Sequence, residues 1–200
     1  EPEQFIEKIE QTQVNIDNWR KQKFILRDSD KDHKYSELEL GFAAFFLNRC
    51  NRSGIITNSV GPIGGKNQDG KWKVDARYNK RELIQKIEIL KSMKGNIVIS
   101  NEDAVLMMKK IDTPISKTLI YIDPPYFQHG PQLYRCYFTK KDHLRLAEYV
   151  QNDLKYDWIV SYDDDEYIRN IYHNQNISPI ILNHRAQKQH IENELIIQRP

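Results

Sequence analysis

The sequence is poor in several features that would place a protein quickly. It has only two cysteines in 200 residues, Cys50 and Cys136. They form no close pair and no metal-ligand spacing, which argues against a disulfide framework and points to a reducing, intracellular setting. No apolar run approaches the ~18 residues of a membrane span, and no signal-peptide pattern is present. A cytoplasmic protein without a membrane partner is the expectation. Charge of one sign is also missing: 30 Lys and Arg against 28 Asp and Glu leave +2. Any nucleic-acid binding therefore has to come from a local patch. There is no internal repeat and no low-complexity tract. The length suits one domain, or one domain with an insertion, with a real core. The chain opens on Glu1-Pro2 rather than Met, so a piece of a longer product is expected.

What is present centres on Thr118-Leu-Ile-Tyr-Ile-Asp-Pro-Pro-Tyr-Phe127. The run Leu119 to Ile122 reads as a buried strand. Asp123-Pro124-Pro125-Tyr126 ends it, because two prolines fix φ near −65° and cannot continue a strand. A stiff turn at the carboxyl end of a strand is where open α/β sheets place ligands. The chemistry that fits is methyl transfer to the exocyclic amine of a planar base. Such an amine is a poor nucleophile, since its lone pair is delocalised into the ring. Asp123 and the Pro124 carbonyl could accept its two hydrogens and favour the pyramidal form that develops in the transition state. Pro125 would fix the turn, and Tyr126 would stack on a base taken out of the duplex. The plainer alternative is that the tetrapeptide is only a turn; the strand directly before it favours the functional reading.

These residues resemble the DNA adenine-N6 methyltransferases of the Dam-like type, whose Asp-Pro-Pro-Tyr motif plays this part. The resemblance implies S-adenosylmethionine as donor, no metal, double-stranded DNA as partner, and Asp123 near donor and base alike. It implies an α/β fold with a Rossmann-like class I methyltransferase core, here partial, and an inserted helical and β-hairpin recognition region. The expected divisions are residues 1–27 as an N-terminal helical segment, 28–80 as the recognition region, and 81–200 as the catalytic core.

Around the motif, residues 3–26 carry an amphipathic helical pattern, either continuous or interrupted. A polar break over Ser29 to Lys34 follows. Ser36-Glu-Leu-Glu39 reads as a capping box opening an apolar helix closed by Gly54. That helix ends in Asn48-Arg-Cys-Asn-Arg-Ser-Gly54, where the cations either complement the helix C-terminus or face DNA. A glycine-rich loop, Gly61 to Lys66, and a turn at Asn67-Gln-Asp-Gly70 suggest a hairpin between Ile63 and the Trp72-Lys-Val run. The glycine loop lacks nucleotide-triphosphate spacing. Arg49, Asn51, Arg52, Lys66 and Arg77 are the expected DNA contacts, being residue types that position phosphates and read base edges.

Asn79-Lys-Arg-Glu82 caps a third helix with Leu83, Ile84, Ile87, Leu90 and Met93 inward. A short strand Ile97–Ile99 should follow. Asp103 is either the N-cap of a small helix or, as the resemblance implies, the acidic contact to the donor's adenine. After the motif, a long aromatic loop resembles the family loop over the flipped base, with Tyr134 and Phe138 as wall residues; His129 is discounted as a base. Thr139-Lys-Lys-Asp142 caps a helix burying Leu144, Ala147 and Val150. A strand at Trp158–Ser161 leads to Tyr162-Asp-Asp-Asp165, read as capping rather than a metal site. Ile177–Leu182 and Glu194–Ile197 form a terminal antiparallel pair.

The resemblance spans nearly the whole chain, with one departure. The family's Phe-x-Gly-x-Gly loop after a first strand, and its acidic ribose contact after a second, have no counterpart here. The missing N-terminal portion is expected from the same gene or a separate chain, since the strands flanking it would otherwise expose unpaired backbone. Alone, the chain is expected to bind S-adenosylmethionine weakly or not at all. Two rivals remain: a methyltransferase acting on adenine in RNA, and a non-catalytic DNA-binding remnant or subunit.

Overall fold

Three helices of the N-terminal half begin where a side chain satisfies amides that the first turn leaves unpaired. Asn15 accepts from the Asn18 amide at 2.9 Å and opens α2, Ile16–Arg27. The preceding helix α1, Pro2–Gln11, starts on a proline, so the amphipathic stretch is two helices parted at residues 12–15. Ser36 and Glu39 form the expected capping box of α3, Glu37–Cys50, and Asn79 caps α4, Lys80–Ser92. The computed structural model describes residues 1–28, 34–128, 130, 136–184 and 190–200. They fold as two units, Glu1–Ile99 and Ser100–Pro200.

The core of the first unit is Ile9, Trp19, Phe42, Phe46, Leu47, Cys50, Val74, Tyr78 and Leu83. Its rings meet at angles: Phe5 stands edge-on to Phe42 at 5.8 Å, and Tyr78 lies 5.3 Å from Phe46. Such pairs add to area burial. Burial raises the Cys50 thiol to about 12, so it packs as a small apolar group.

Three expectations fail here. The hairpin does not form: the described residues 60–78 make successive turns, with one isolated bridge between Asn51 and Pro62. Gly64, Gly65 and Gln68 have φ of 82°, 78° and 57°, which coils the chain instead of extending it. The Gln68 side chain then takes the place of a ladder, donating to Ile63 O at 2.8 Å and accepting from the Val74 amide at 2.8 Å. The inward face of α4 is shorter than the pattern implied, because Leu90 and Met93 are exposed. Ile97–Ile99 enters no strand, and Val98 is 97 % exposed.

The second unit is a mixed α/β layer. Its four strands are β1 (Leu119–Ile122), β2 (Asp157–Asp163), β3 (Asn176–His184) and β4 (His190–Gln198), in the order β1-β2-β4-β3. β1 and β2 are parallel, in register from Leu119 opposite Asp157 to Ile122 opposite Val160. β4 runs antiparallel to both β2 and β3. Alternation sends Ile122, Trp158, Val160, Tyr162, Leu195 and Ile197 to one face. They share a core there with α5 (Ala104–Lys109), α6 (Lys140–Asn152) and α7 (Glu166–Ile171). α6 buries His143, Leu146, Ala147 and Val150, the spacing of one helical stripe. Leu144, expected inward, is exposed because His143 takes the inward place. On the other face of β1, Leu119 and Tyr121 are 59 % and 61 % exposed.

Candidate active site

The parallel pair β1–β2 delivers the chemistry-bearing residues to one end of the sheet. β1 stops at Ile122, and Asp123 projects from its carboxyl end into solvent-exposed space. The carboxylate is aligned: Tyr121 Oη donates to Ser161 Oγ at 2.9 Å, and Ser161 Oγ donates to Asp123 Oδ1 at 2.8 Å. Ser161 is itself buried. Only one carboxylate oxygen is used in this relay, and Oδ2 is left for a further donor.

Two residues along β2, the same face offers Asp163. Its oxygens accept from the amides of Phe127 at 2.8 Å and Gln128 at 2.9 Å. Two residues further, Asp165 accepts from Gln128 Nε2 at 2.7 Å and caps α7 through the Tyr167 amide. Ser161, Asp163 and Asp165 are thus a period-two row that holds the 123–128 segment. Asp164 points elsewhere and forms a two-bonded ion pair with Arg169. All three aspartates of the run are accordingly spent on protein partners.

A hollow of about 240 Å³ lies beside the corner, with Asp123, Pro124, Pro125, Tyr121, Phe138 and Met107 among its walls. The expected Asp123, Pro124, Pro125 and Phe138 therefore come together. Phe138 also stands edge-on to His143, 5.3 Å away. Burial lowers the His143 pKa, and its Nδ1 lies 2.8 Å from Tyr162 Oη; it supports the wall as a neutral ring. Tyr126 does not line this hollow. It donates its hydroxyl to Glu194, which is buried on β4.

Asp103 adopts the plainer of its two expected roles. It accepts from the Leu106 amide at 3.0 Å at the start of α5 and pairs with Arg145. The amide bond first, then Arg145, lowers its pKa. Tyr134 and His129 lie outside the described residues.

The expected DNA contacts in the first unit divide. Asn51 is 1 % exposed; it accepts from Trp19 Nε1 at 2.7 Å and donates to Ile55 O at 2.7 Å. Its amide is consumed by the core, so a base contact is corrected to a structural role. Arg77 donates to the carbonyls of Asn48 at 2.7 Å and Asn51 at 3.1 Å, closing the end of α3. Arg49 Nε donates to Arg77 O at 3.0 Å. Arg52 and Lys66 are exposed and make no side-chain hydrogen bond among the described residues.

Sequence reasoning missed Ser161, Asp163 and Glu194 as supports of the motif. The alternation Ser161-x-Asp163-x-Asp165 at a strand end was the available signal; nothing local marked Glu194.

The second unit thus carries, at the carboxyl end of a parallel strand pair in a mixed α/β sheet, an acidic proline corner beside a largely apolar hollow. The family model for D12 class N6 adenine-specific DNA methyltransferase matches residues 1–184, and the chain belongs to this family. No curated protein matches the chain. The protein is thus a site-specific DNA methyltransferase that modifies adenine at N6, with S-adenosylmethionine the donor its family implies.

Proposed function

We propose that the corner at residues 123–126 is where the adenine amine is held for methylation in duplex DNA. Asp123 Oδ2 and the Pro124 carbonyl accept the two N6 hydrogens and draw the lone pair out of conjugation with the ring. Preorganised acceptors of this kind act where charge develops. Pro124 and Pro125 keep the carbonyl from turning away, since neither φ can change. Tyr126 stacks on the displaced base, which requires its bond to Glu194 to yield. Phe138 forms an opposing wall. No strong base is needed, because the amine loses its proton only as it becomes cationic.

S-adenosylmethionine, when bound, supplies an electrophilic methyl group. The described residues fit it in part. The hollow of about 240 Å³ is below the ~300–1,000 Å³ of ordinary small-molecule sites, and Asp103 is engaged by Arg145. Asp123 and the apolar wall suit the reacting end; Asp103 takes the donor's adenine only if Arg145 releases it. The remaining wall is assigned to further strands on the outer edge of β1, carried by the same gene product or a separate chain. The place of β1 at the end of the strand order supports this, because an end strand whose outer backbone groups have no partner strand among the described residues calls for cover. The sheet so extended is a Rossmann-like core, and the region around residues 28–80 is its recognition insertion. Arg52 and Lys66 contact phosphates there.

The observation that carries this reading is the Ser161-aligned Asp123 carboxylate at the mouth of the hollow. Transfer of labelled methyl groups by the complete protein to duplex DNA, against matched RNA, tests it. Incorporation into N6 of adenine in the duplex is expected; equal or preferential labelling of RNA contradicts it.

A further inference from the structure

The protein has three tryptophans, and two are core residues: Trp19 is 3 % and Trp158 2 % exposed. Trp72 is 65 % exposed. Its loop is not slack. A Cβ on Gly64 would fall 2.4 Å from Trp72 O, and one on Gly70 would fall 2.9 Å from Gly64 Cα. Backbone therefore packs on backbone at both glycines. Gln68 ties Ile63, Gly65 and Val74 together, and Val74 is buried in the core. The ring is thus presented by a braced support, two residues from a buried anchor.

Its surroundings are cationic. Residues 60–74 contain Lys66, Lys71 and Lys73 against the single acid Asp69. Lys71 Nζ lies 5.6 Å from the Trp72 ring centroid, and Lys66 is exposed without a hydrogen bond among the described residues. An apolar protein surface would have to desolvate these lysines. A nucleic acid offers them phosphates and offers the ring a π face.

We propose that Trp72 is a base-stacking contact to the DNA substrate, with Lys66 and Lys71 on the flanking phosphates. The proposal rests on the DNA-methyltransferase reading and names how its recognition loop engages the substrate. Every base has a π face, so the contact favours exposed or displaced bases over a particular letter. Lys71, over the ring in the free protein, moves to a phosphate as the base arrives.

A change in tryptophan emission on binding reports Trp72, because the other two indoles are buried and out of reach of the duplex. The test titrates the full chain with a fluorescein-labelled duplex carrying one mismatched adenine, following anisotropy and tryptophan emission in parallel samples with labelled and unlabelled duplex. Emission from the exposed indole should fall as anisotropy rises. Trp72→Ala should weaken binding about five- to a hundred-fold and remove the emission change, while Trp72→Phe keeps most of the affinity. Binding with unchanged emission, or Trp72→Ala binding as tightly as wild type, overturns the stacking contact and leaves the DNA reading intact. No rise in anisotropy at any concentration overturns both.

Discussion

The end of α3 and the end of β1 use similar residues for opposite purposes. At the end of α3, Asn51 and Arg77 turn inward and satisfy carbonyls and an indole N–H. At the end of β1, Ser161 and Asp163 turn toward the motif and leave Asp123 with an unspent oxygen. The difference follows from what each element leaves unpaired. A helix end has several orphan carbonyls, so nearby donors are drawn to them first. A strand that stops at two prolines leaves few donors, so acceptors beside it remain available. A residue's chemical type therefore says less about its role than the backbone groups within its reach.

The largest effect is expected at the motif's support. Ser161→Ala should lower kcat by about a hundred-fold, the scale of a small misplacement of a reacting group. The KM for DNA should stay near wild type. Steady-state methylation with both parameters resolved checks this, and Ser161→Thr should restore part of the rate. Equal losses in kcat and DNA affinity would erase the distinction between the two ends.

A smaller effect is expected at the helix end. Asn51→Ala leaves the buried Trp19 N–H without an acceptor and should cost about 1–3 kcal/mol of stability. A urea unfolding midpoint measures it. The folded fraction should still bind DNA, whereas a variant of full stability and lost DNA affinity would return Asn51 to the interface.

The smallest effects belong to the exposed cations. Arg52→Ala and Lys66→Ala should leave stability within about 0.5 kcal/mol. Each should weaken DNA binding uniformly across sequences and reduce the salt slope by about one. Affinity measured at several salt concentrations decides; an unchanged slope removes that residue from the phosphate contacts.

Much of the fold was legible because local signals and tertiary structure agreed. The capping boxes at Ser36 and Thr139 formed as read. The antiparallel pair of β3 and β4 formed as read too; the strand before Asp123 formed, but it is not the buried strand expected, because only Ile122 is buried. The apolar run at Leu119 could announce a strand but not its neighbours, and its exposed face became visible only once the sheet order was known. The hairpin was misread because glycines and an Asn-x-x-Gly stretch suit both tight hairpins and coiled turns. Gln68 decided between them through side-chain bonds that no pattern encodes. At the site, the sequence showed that Asp123 and its prolines would end a strand in a stiff corner, and they do. The role of Asn51 was not readable, because an amide that suits adenine suits a buried indole equally well.

The most direct test of the account is methyl transfer by the Asp123→Ala form of the complete protein, with DNA affinity measured on the same preparation. Loss of adenine methylation by at least about a thousand-fold, with affinity within about two-fold of wild type, is the predicted result. Methylation at the wild-type rate without that carboxylate would contradict it.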